Sequence, residues 1–159
     1  MVSGSAFLSE DRRYRYALWR TLGAGSNYVM FIGLNPSTAD ETNDDPTIRR
    51  CINFAKDWGY DALCMCNLFA FRATLPKDMI AARDPVGPMN DGVIRFLSAN
   101  ASMVVAAWGV YGRHINRDND VMNLIENAHY LKLNSDGTPS HPLYLPKIST
   151  PIPYNYGLR

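Results

Sequence analysis

Residues 28–67 read YVMFIGLNPSTADETNDDPTIRRCINFAKDWGYDALCMCN, and this stretch decides the fold. Its first seven residues are apolar and rich in β-formers, which is typical of a buried strand of a parallel sheet. Pro46 then suits the first turn of a helix, and Ile48, Cys51 and Ile52 recur along one helical face before Gly59. The next apolar run begins at residue 62. The stretch therefore predicts strand, loop, helix and strand.

The same alternation continues along the chain. Further strands are predicted over residues 62–71, 101–109 and 128–133, and further helices over residues 91–101 and 110–128. Residues 12–23 mix aromatic and basic side chains, so this stretch fits either a pair of strands or a short helix. The alternation predicts an α/β three-layer sandwich with a central, mostly parallel four-stranded sheet.

Length and composition set the domain count. A chain of 159 residues, 47% of them hydrophobic, can bury one full-sized core, so we expect a single domain over residues 1–159. The opening MVSGS is polar and small, and residues 1–6 are a candidate disordered segment. Pro151 and Pro153 predict an extended tail over residues 146–159.

Charge and cysteine content limit the ligands and the cellular compartment that we expect for the protein. The net charge of +1 provides no overall basic surface, so any nucleic-acid contact must come from local clusters. The cysteines, Cys51, Cys64 and Cys66, form no even disulfide framework and offer too few ligands for a zinc or iron–sulfur site, so no metal is predicted. Without a secretory leader or a run of membrane-spanning length, we expect a cytoplasmic protein with no membrane partner.

Polar residues follow the predicted strands. In an open parallel sheet, ligands bind outside the carboxyl ends of the strands. Asn35, Asn67 and His141 follow the first, second and fourth strands, and the pair Arg113 and His114 follows the third. The sequence therefore predicts one site at this edge of the sheet.

The ordered motifs GLNPS, CNLF, VVAAWGVYGRH and HPLYL resemble those of the uracil-DNA glycosylase superfamily, in particular its mismatch-specific branch with a GINPG motif. The resemblance spans roughly residues 28–147. The longer stretches GLNPSTADETNDDPTIRR and SHPLYLPK also resemble a family of bacterial and phage proteins known only as a domain of unknown function. That second resemblance is the firmer one, and it implies no activity.

The glycosylase resemblance implies a uracil-DNA glycosylase-like fold and a monofunctional hydrolase that removes a damaged, mismatched or modified pyrimidine from DNA without a cofactor. Asn35 would position the attacking water, and His141 would stabilise the charge arriving on the base. The base would be flipped from single- or double-stranded DNA, and we expect the protein to act as a monomer. The implied substrate-binding residues are Gly33, Leu34, Pro36, Ser37, Asn67, Phe69 and Gly109. The implied DNA-contacting residues are Arg72, Arg113, Leu143, Tyr144 and Lys147.

Departures from the pattern keep alternatives open. Ser37 is small and leaves room for a 5-substituted pyrimidine, but no aromatic residue lies between Pro36 and Phe54 to stack on a base. The acidic residues of the stretch 40–45 suit helix capping and a solvated loop, or else a cation site. Two alternatives are the same fold acting on a free or hypermodified nucleotide, and a non-catalytic module that binds a base or DNA.

Overall fold

A computed structural model describes residues 2–155 of the chain. Its strands are β1 (Ser3–Leu8), β2 (Arg15–Thr21), β3 (Tyr28–Gly33), β4 (Ala62–Asn67), β5 (Met103–Ala106), β6 (Ala128–Tyr130) and β7 (Ile152–Pro153). Its α-helices are α1 (Pro46–Asp57), α2 (Pro76–Ala81), α3 (Asn90–Asn100) and α4 (Arg117–Met122). Two 3₁₀ helices cover Val110–Asn116 and Pro142–Tyr144.

The seven strands form one mixed sheet in the order β1-β2-β4-β3-β5-β6-β7. The neighbours β4, β3, β5 and β6 pair in parallel, whereas β1 with β2, β2 with β4, and β6 with β7 pair antiparallel. The fold is thus mixed α/β, and the predicted four-stranded, mostly parallel sheet was wrong in its strand number and in its edges. Two of the missed strands lack the apolar signal of a buried strand, since β1 is mostly exposed and β7 contains a proline, and the third, β2, lies in the stretch 12–23 that fitted either strands or a helix.

Alternate residues of the central strands pack on opposite faces of the sheet. On one face, Phe31 and its neighbours pack against the apolar side of α1, which includes Ile48 and Phe54. On the other face, Met30 and Ile32 pack in a cluster with Ile94 of α3 and residues of α2 and α4. Helices therefore cover both faces, as the alternation of strands and helices predicted.

Several boundaries differ from those predicted. Residues 1–6 were a candidate disordered segment, but Ser3–Leu8 pair with β2 through backbone hydrogen bonds. In the expected extended tail, Ile152 and Pro153 form β7 and Tyr154 is buried, while residues 156–159 lie outside the described residues. The open stretch 12–23 contains strand β2.

The helix predicted over residues 110–128 is broken. Ile115 and Asn116 adopt left-handed backbone conformations with φ of 48° and 57°. Non-glycine residues rarely adopt this conformation, and a regular helix cannot continue through it. The segment Val110–Asn116 is instead a 3₁₀ stretch interrupted by a kink at His114 and Ile115, and the short helix α4 follows it.

The three cysteines are free and buried, and they pack as small apolar side chains. Cys64 and Cys66 are two residues apart on β4, with their sulfur atoms 4.0 Å apart. Burial raises the pKa of the Cys51 and Cys64 thiols, which keeps both protonated. Within residues 2–155, no helix is long and apolar enough to cross a membrane.

Candidate functional site

A cavity of about 550 Å³ opens at the carboxyl ends of the central parallel strands. Gly33 and Asn67, the last residues of β3 and β4, lie side by side in register, and Ala107 follows β5. The chain runs from β3 to β4 on one side and then crosses to β5 on the other. The cavity therefore lies at the point where the strand order reverses, where open α/β sheets bind ligands.

Asn35 borders the cavity with its amide orientation fixed. Its Nδ2 donates to the carbonyl oxygens of Ala73 (2.8 Å) and Pro36 (3.1 Å). Among the described residues, nothing donates a hydrogen bond to its Oδ1. Since both amide protons are used by backbone carbonyls, Oδ1 is the atom that can accept a hydrogen bond from a water or ligand.

Asn67 is 3% exposed and is held between Gly33 and Arg15. Its Oδ1 accepts a hydrogen bond of 3.1 Å from Nη2 of Arg15, which leaves Nδ2 as the donor toward a ligand. A Cβ atom on Gly33 would lie 2.9 Å from this Nδ2, so only glycine allows the amide to lie across the end of β3. Asn90 then donates to the backbone carbonyls of Asn67 and Leu68 and fixes the strand end.

Arg15 is a buried cation at the same cavity. It is 2% exposed, and its Nη1 donates to the carbonyl oxygen of Ala39 (3.1 Å). Burial lowers the pKa of its guanidinium to about 10, against the opposing field of Asp45, and the group stays charged at neutral pH. Its Nε is buried without a hydrogen-bond partner among residues 2–155.

His141 stands at the mouth of the cavity, directly before the 3₁₀ helix Pro142–Tyr144. The backbone N–H of Leu143 donates to Nδ1 (3.2 Å), so the neutral ring carries its proton on Nε2. Thr47 Oγ1 lies 3.5 Å from Nε2, too far for a strong hydrogen bond. Desolvation by the surrounding protein lowers the pKa of His141, although the nearby Asp45 acts in the opposite direction. At neutral pH His141 is therefore a neutral donor.

The loop that carries His141 is fixed to α1. Arg50 of α1 donates to the carbonyl oxygen of Leu145 and stacks over the ring of Phe54, with its guanidinium carbon 4.9 Å from the ring centre. Leu145 is itself buried. This anchoring brings His141 beside the first turn of α1, although the two lie 94 residues apart in sequence.

The acidic loop before α1 is organised by its own carboxylates. Asp45 caps α1 by accepting from the N–H of Ile48 (2.9 Å), and Asp44 pairs with the buried Arg20 (2.8 Å). Glu41 pairs with Arg12. Hydrogen bonds from Asn43 and Thr42 lower the pKa of Asp40 to about 2. Capping and ion pairing thus account for these carboxylates, and within residues 2–155 no cluster suited to a metal ion occurs.

A second cavity of about 570 Å³ adjoins the first. It shares Ser37, Thr38, Ala73 and Thr74 with it, and it is bordered by the cations Arg12, Arg13 and Arg72. Arg12 is neutralised by Glu41, whereas Arg13 is 3.8 Å from Asp11 with both side chains exposed. The second cavity therefore adds positive charge next to the first.

The structure brings together eight of the predicted site residues. Those that border the first cavity are Gly33, Leu34, Asn35, Pro36, Ser37, Asn67, His141 and Leu143. They come from two strand ends and from the loop before β7, so their proximity results from the parallel arrangement of β3 and β4 and from the attachment of that loop to α1.

Other predicted residues lie elsewhere. Phe69 is fully buried in the core, 5.6 Å from the ring of His114, and cannot stack on a ligand in the cavity. Gly109 donates its N–H to Pro139 and borders neither cavity. Arg113 pairs with Asp136. Arg72 borders the second cavity, and Tyr144 and Lys147 are exposed outside both.

Arg15 and Thr47 are the site residues that sequence reasoning missed. Arg15 is the first residue of β2, and the residues that follow it, YALWRT, are mostly buried. The available signal for a site residue was therefore an arginine within a mostly apolar strand. This signal was not recognised because residues 12–23 could not be assigned to a strand or a helix from the sequence. Thr47 lies within the first turn of α1 and borders the cavity, next to the capping Asp45.

Residues 15–143 match the model of the DUF1643 family, described as a protein of unknown function. The chain belongs to this family. The match runs from Arg15 to Leu143, so the DUF1643 region contains every residue that borders the first cavity. No curated protein and no solved structure matches the chain. The match shows that the chain belongs to a family of unknown function, as the second resemblance implied; it gives no link to the uracil-DNA glycosylase superfamily and no activity for this DUF1643 protein.

Proposed function

We propose that this protein is a DNA glycosylase-like hydrolase that cleaves the N-glycosidic bond of a damaged, mismatched or modified pyrimidine by attack of water. The observation that carries the proposal is the convergence of Asn35, Asn67 and His141 on one cavity at the carboxyl edge of the sheet. These are the residues to which the glycosylase-like motifs assign water positioning, base reading and charge stabilisation.

The atoms offered by each residue suit these roles. Cleavage leaves the bonding electron pair on the base nitrogen, and the water oxygen bonds to the sugar carbon. Oδ1 of Asn35 can accept a hydrogen bond from that water, while Nδ2 of Asn67 and Nε2–H of His141 can donate to base carbonyls. The proton released by the water passes to solvent or to the departing base.

The residues that border the first cavity favour hydrolysis over a lyase reaction. They also favour recognition of the base by hydrogen bonds over recognition by aromatic stacking. Within the described residues, the lining of this cavity contains no lysine that could attack the sugar and no phenylalanine, tyrosine or tryptophan that could stack on the base. Base binding in this proposal therefore depends on hydrogen bonds, which discriminate strongly because a wrong base leaves buried polar groups unpaired.

Base release from a panel of oligonucleotides tests the proposal. The panel carries uracil, G:T and G:U mismatches, hypoxanthine and 5-hydroxymethyluracil, and wild type is compared with Asn35→Ala and His141→Ala. Asn100→Ala is the matched control, because this asparagine lies at the far end of α3, and among the described residues its side chain bonds only to the carbonyl of Phe96. We expect release that is lost in the two site variants and kept in the control. Release from no substrate, with all variants folded, would reject the proposal.

A free or hypermodified nucleotide is the second candidate substrate. The second cavity, with Arg13 and Arg72, adjoins the first closely enough to hold the phosphate of a nucleotide whose base occupies the first. Release of base from a nucleoside monophosphate, at a rate equal to or above that from an oligonucleotide, would favour this candidate.

A further inference from the structure

Two arginines of β2 are both buried, but only one has a carboxylate partner. Arg20 is 3% exposed, pairs with Asp44 (2.8 Å), and donates to the carbonyl oxygens of Trp19, Asp40, Glu41 and Asn43. Arg15 is 2% exposed and donates to two neutral oxygens, those of Ala39 and Asn67. Among residues 2–155, no carboxylate forms an ion pair with Arg15.

The stability of the fold does not explain an unpaired guanidinium at this position. A buried charge without a counter-charge costs free energy, and two hydrogen bonds to neutral oxygens offset that cost only in part. Three of the five guanidinium N–H groups of Arg15 make no hydrogen bond within the described residues, including the buried Nε–H. Arg15 nevertheless borders the cavity, next to the amide of Asn67.

The charges around Arg15 define which anion fits. Asp45 is the carboxylate whose field acts on it, and the cations Arg72 and Arg20 act in the opposite direction. With His141 neutral, the charged groups that border the cavity are Arg15 and Asp45, so the lining has no net charge to balance a phosphate dianion. The lining instead suits a planar monoanion placed against Arg15 and away from Asp45.

We infer that Arg15 binds the negative charge of the departing pyrimidine, acting as a further catalytic residue that holds the base as a ring-deprotonated monoanion. This inference rests on the proposed function. After cleavage the base nitrogen holds the electron pair of the broken bond, and a guanidinium beside Asn67 stabilises that charge until the base takes up a proton. The polarised Asn67 amide donates to the same ring, since its Oδ1 is held by Arg15.

Binding of free bases tests the inference without turnover. The probes are 5-nitrouracil, which is an anion at neutral pH, and uracil, which is neutral there. Wild type should bind 5-nitrouracil about 10- to 100-fold more tightly than uracil, the range expected for a charge-assisted hydrogen bond. Arg15→Met should bind the two bases equally. Arg20→Met is the control and should keep the wild-type preference.

Unfolding measurements separate a binding role from a structural one. Arg15→Met should lower the denaturation midpoint less than Arg20→Met does, because it leaves two neutral oxygens, those of Ala39 and Asn67, without their donor but also removes a buried charge that has no carboxylate partner. Arg20→Met should lower the midpoint further, because it leaves Asp44 and four carbonyl groups without their donor. A large loss of stability in Arg15→Met, with the preference for 5-nitrouracil unchanged, would overturn the inference.

A spectroscopic measurement on the wild type needs no variant. The ultraviolet band of 5-nitrouracil shifts when the ring loses its proton, so the pKa of the bound base can be read directly. We expect this pKa to fall by at least one unit on binding, which corresponds to tenfold preference for the anion. An unchanged or raised pKa, or no binding of 5-nitrouracil at its solubility limit, would overturn the inference. If no base is released from the oligonucleotide panel but 5-nitrouracil binds as expected, the glycosylase activity is rejected and the anion-binding role of Arg15 is retained.

Discussion

At the scale of single residues, Gly33 decides whether Asn67 can face the cavity. A Cβ atom at this position would lie 2.9 Å from both Nδ2 of Asn67 and the terminal methyl of Met65. Gly33→Ala should therefore displace the amide, cost about 1–3 kcal/mol in the free energy of unfolding, and abolish base release. Denaturant unfolding and the oligonucleotide panel measure the two effects.

Gly92 provides the matched control. It lies in α3, and no atom lies within 4 Å of an added Cβ. Gly92→Ala should stabilise the protein by up to about 1 kcal/mol, because alanine restricts the unfolded chain and favours the helix. If Gly33→Ala releases base at the wild-type rate, the close packing of Asn67 on Gly33 has no functional role.

His141 should make both stability and base release sensitive to acid. Its pKa in the folded protein lies below the ordinary value of 6.5, so protonation favours the unfolded chain. The stability that the neutral ring contributes is present above pH 6.5 and is lost as the pH falls through the lowered pKa. A protonated Nδ1 also cannot accept from Leu143, which releases the ring from its orientation.

Unfolding and base release measured between neutral pH and about pH 5 check this behaviour against His141→Gln. The fall in stability should be shallower in the variant. Both proteins keep His114 and His129, so their difference isolates His141. Parallel stability curves for the two proteins would contradict a lowered pKa at this residue.

At the scale of elements, α1 connects the acidic loop to the candidate site. Asp45 caps its first turn while Thr47, two residues later, approaches His141. Asp45→Ala should cost about 0.5–2 kcal/mol in the free energy of unfolding, whereas Asp45→Asn should keep the cap and cost less than Asp45→Ala. Thermal unfolding of the two variants distinguishes loss of the cap from loss of the charge. Equal destabilisation would show that the charge of Asp45 contributes more than its hydrogen bond.

The elements also show what local sequence can reveal. The motif Pro46, Ile48, Cys51 and Ile52 predicted α1 because its signals lie within one helix. By contrast, β2 carries a buried arginine at each of two positions, Arg15 and Arg20, and its partners are contributed by residues 39–44 and 67. Arg15 and Arg20 are buried by residues that are distant in sequence, so their burial does not appear in the local hydrophobic pattern. The strand and its role in the site could therefore not be predicted from residues 12–23.

At the scale of the whole molecule, the parallel pairing of β3 and β4 explains why the sequence could place Asn35 and Asn67 at one edge of the sheet although the predicted strand number was wrong. Strand ends of parallel neighbours meet at one edge, so Asn35 and Asn67 could be placed together without knowing the strand count. Phe69 was misplaced because β4 ends at Asn67, two residues earlier, and the chain then enters the core. The position at which a strand ends depends on the neighbouring strands with which it pairs, and the sequence alone did not identify these neighbours.

If the protein binds DNA as proposed, the distribution of charge over the whole molecule predicts how that affinity responds to salt. The net charge is only +1, so attraction to phosphates must come from cations near the cavities, above all Arg13 and Arg72. Each phosphate contact contributes about −0.9 to the slope of log affinity against log salt concentration for duplex DNA. With two to four contacts we expect a slope of about −2 to −4, and Arg13→Ala should reduce its magnitude by about 1.

Arg95→Ala is the control for the salt titration, because it removes the same charge from an exposed position on α3 that borders neither of these cavities. Its slope should equal that of the wild type. Fluorescence anisotropy of a labelled duplex, titrated with salt, measures all three proteins. Equal slopes for Arg13→Ala and Arg95→Ala would show that the second cavity does not contact the DNA backbone. A wild-type slope near zero would instead favour a free nucleotide, which needs one phosphate contact and no extended basic surface.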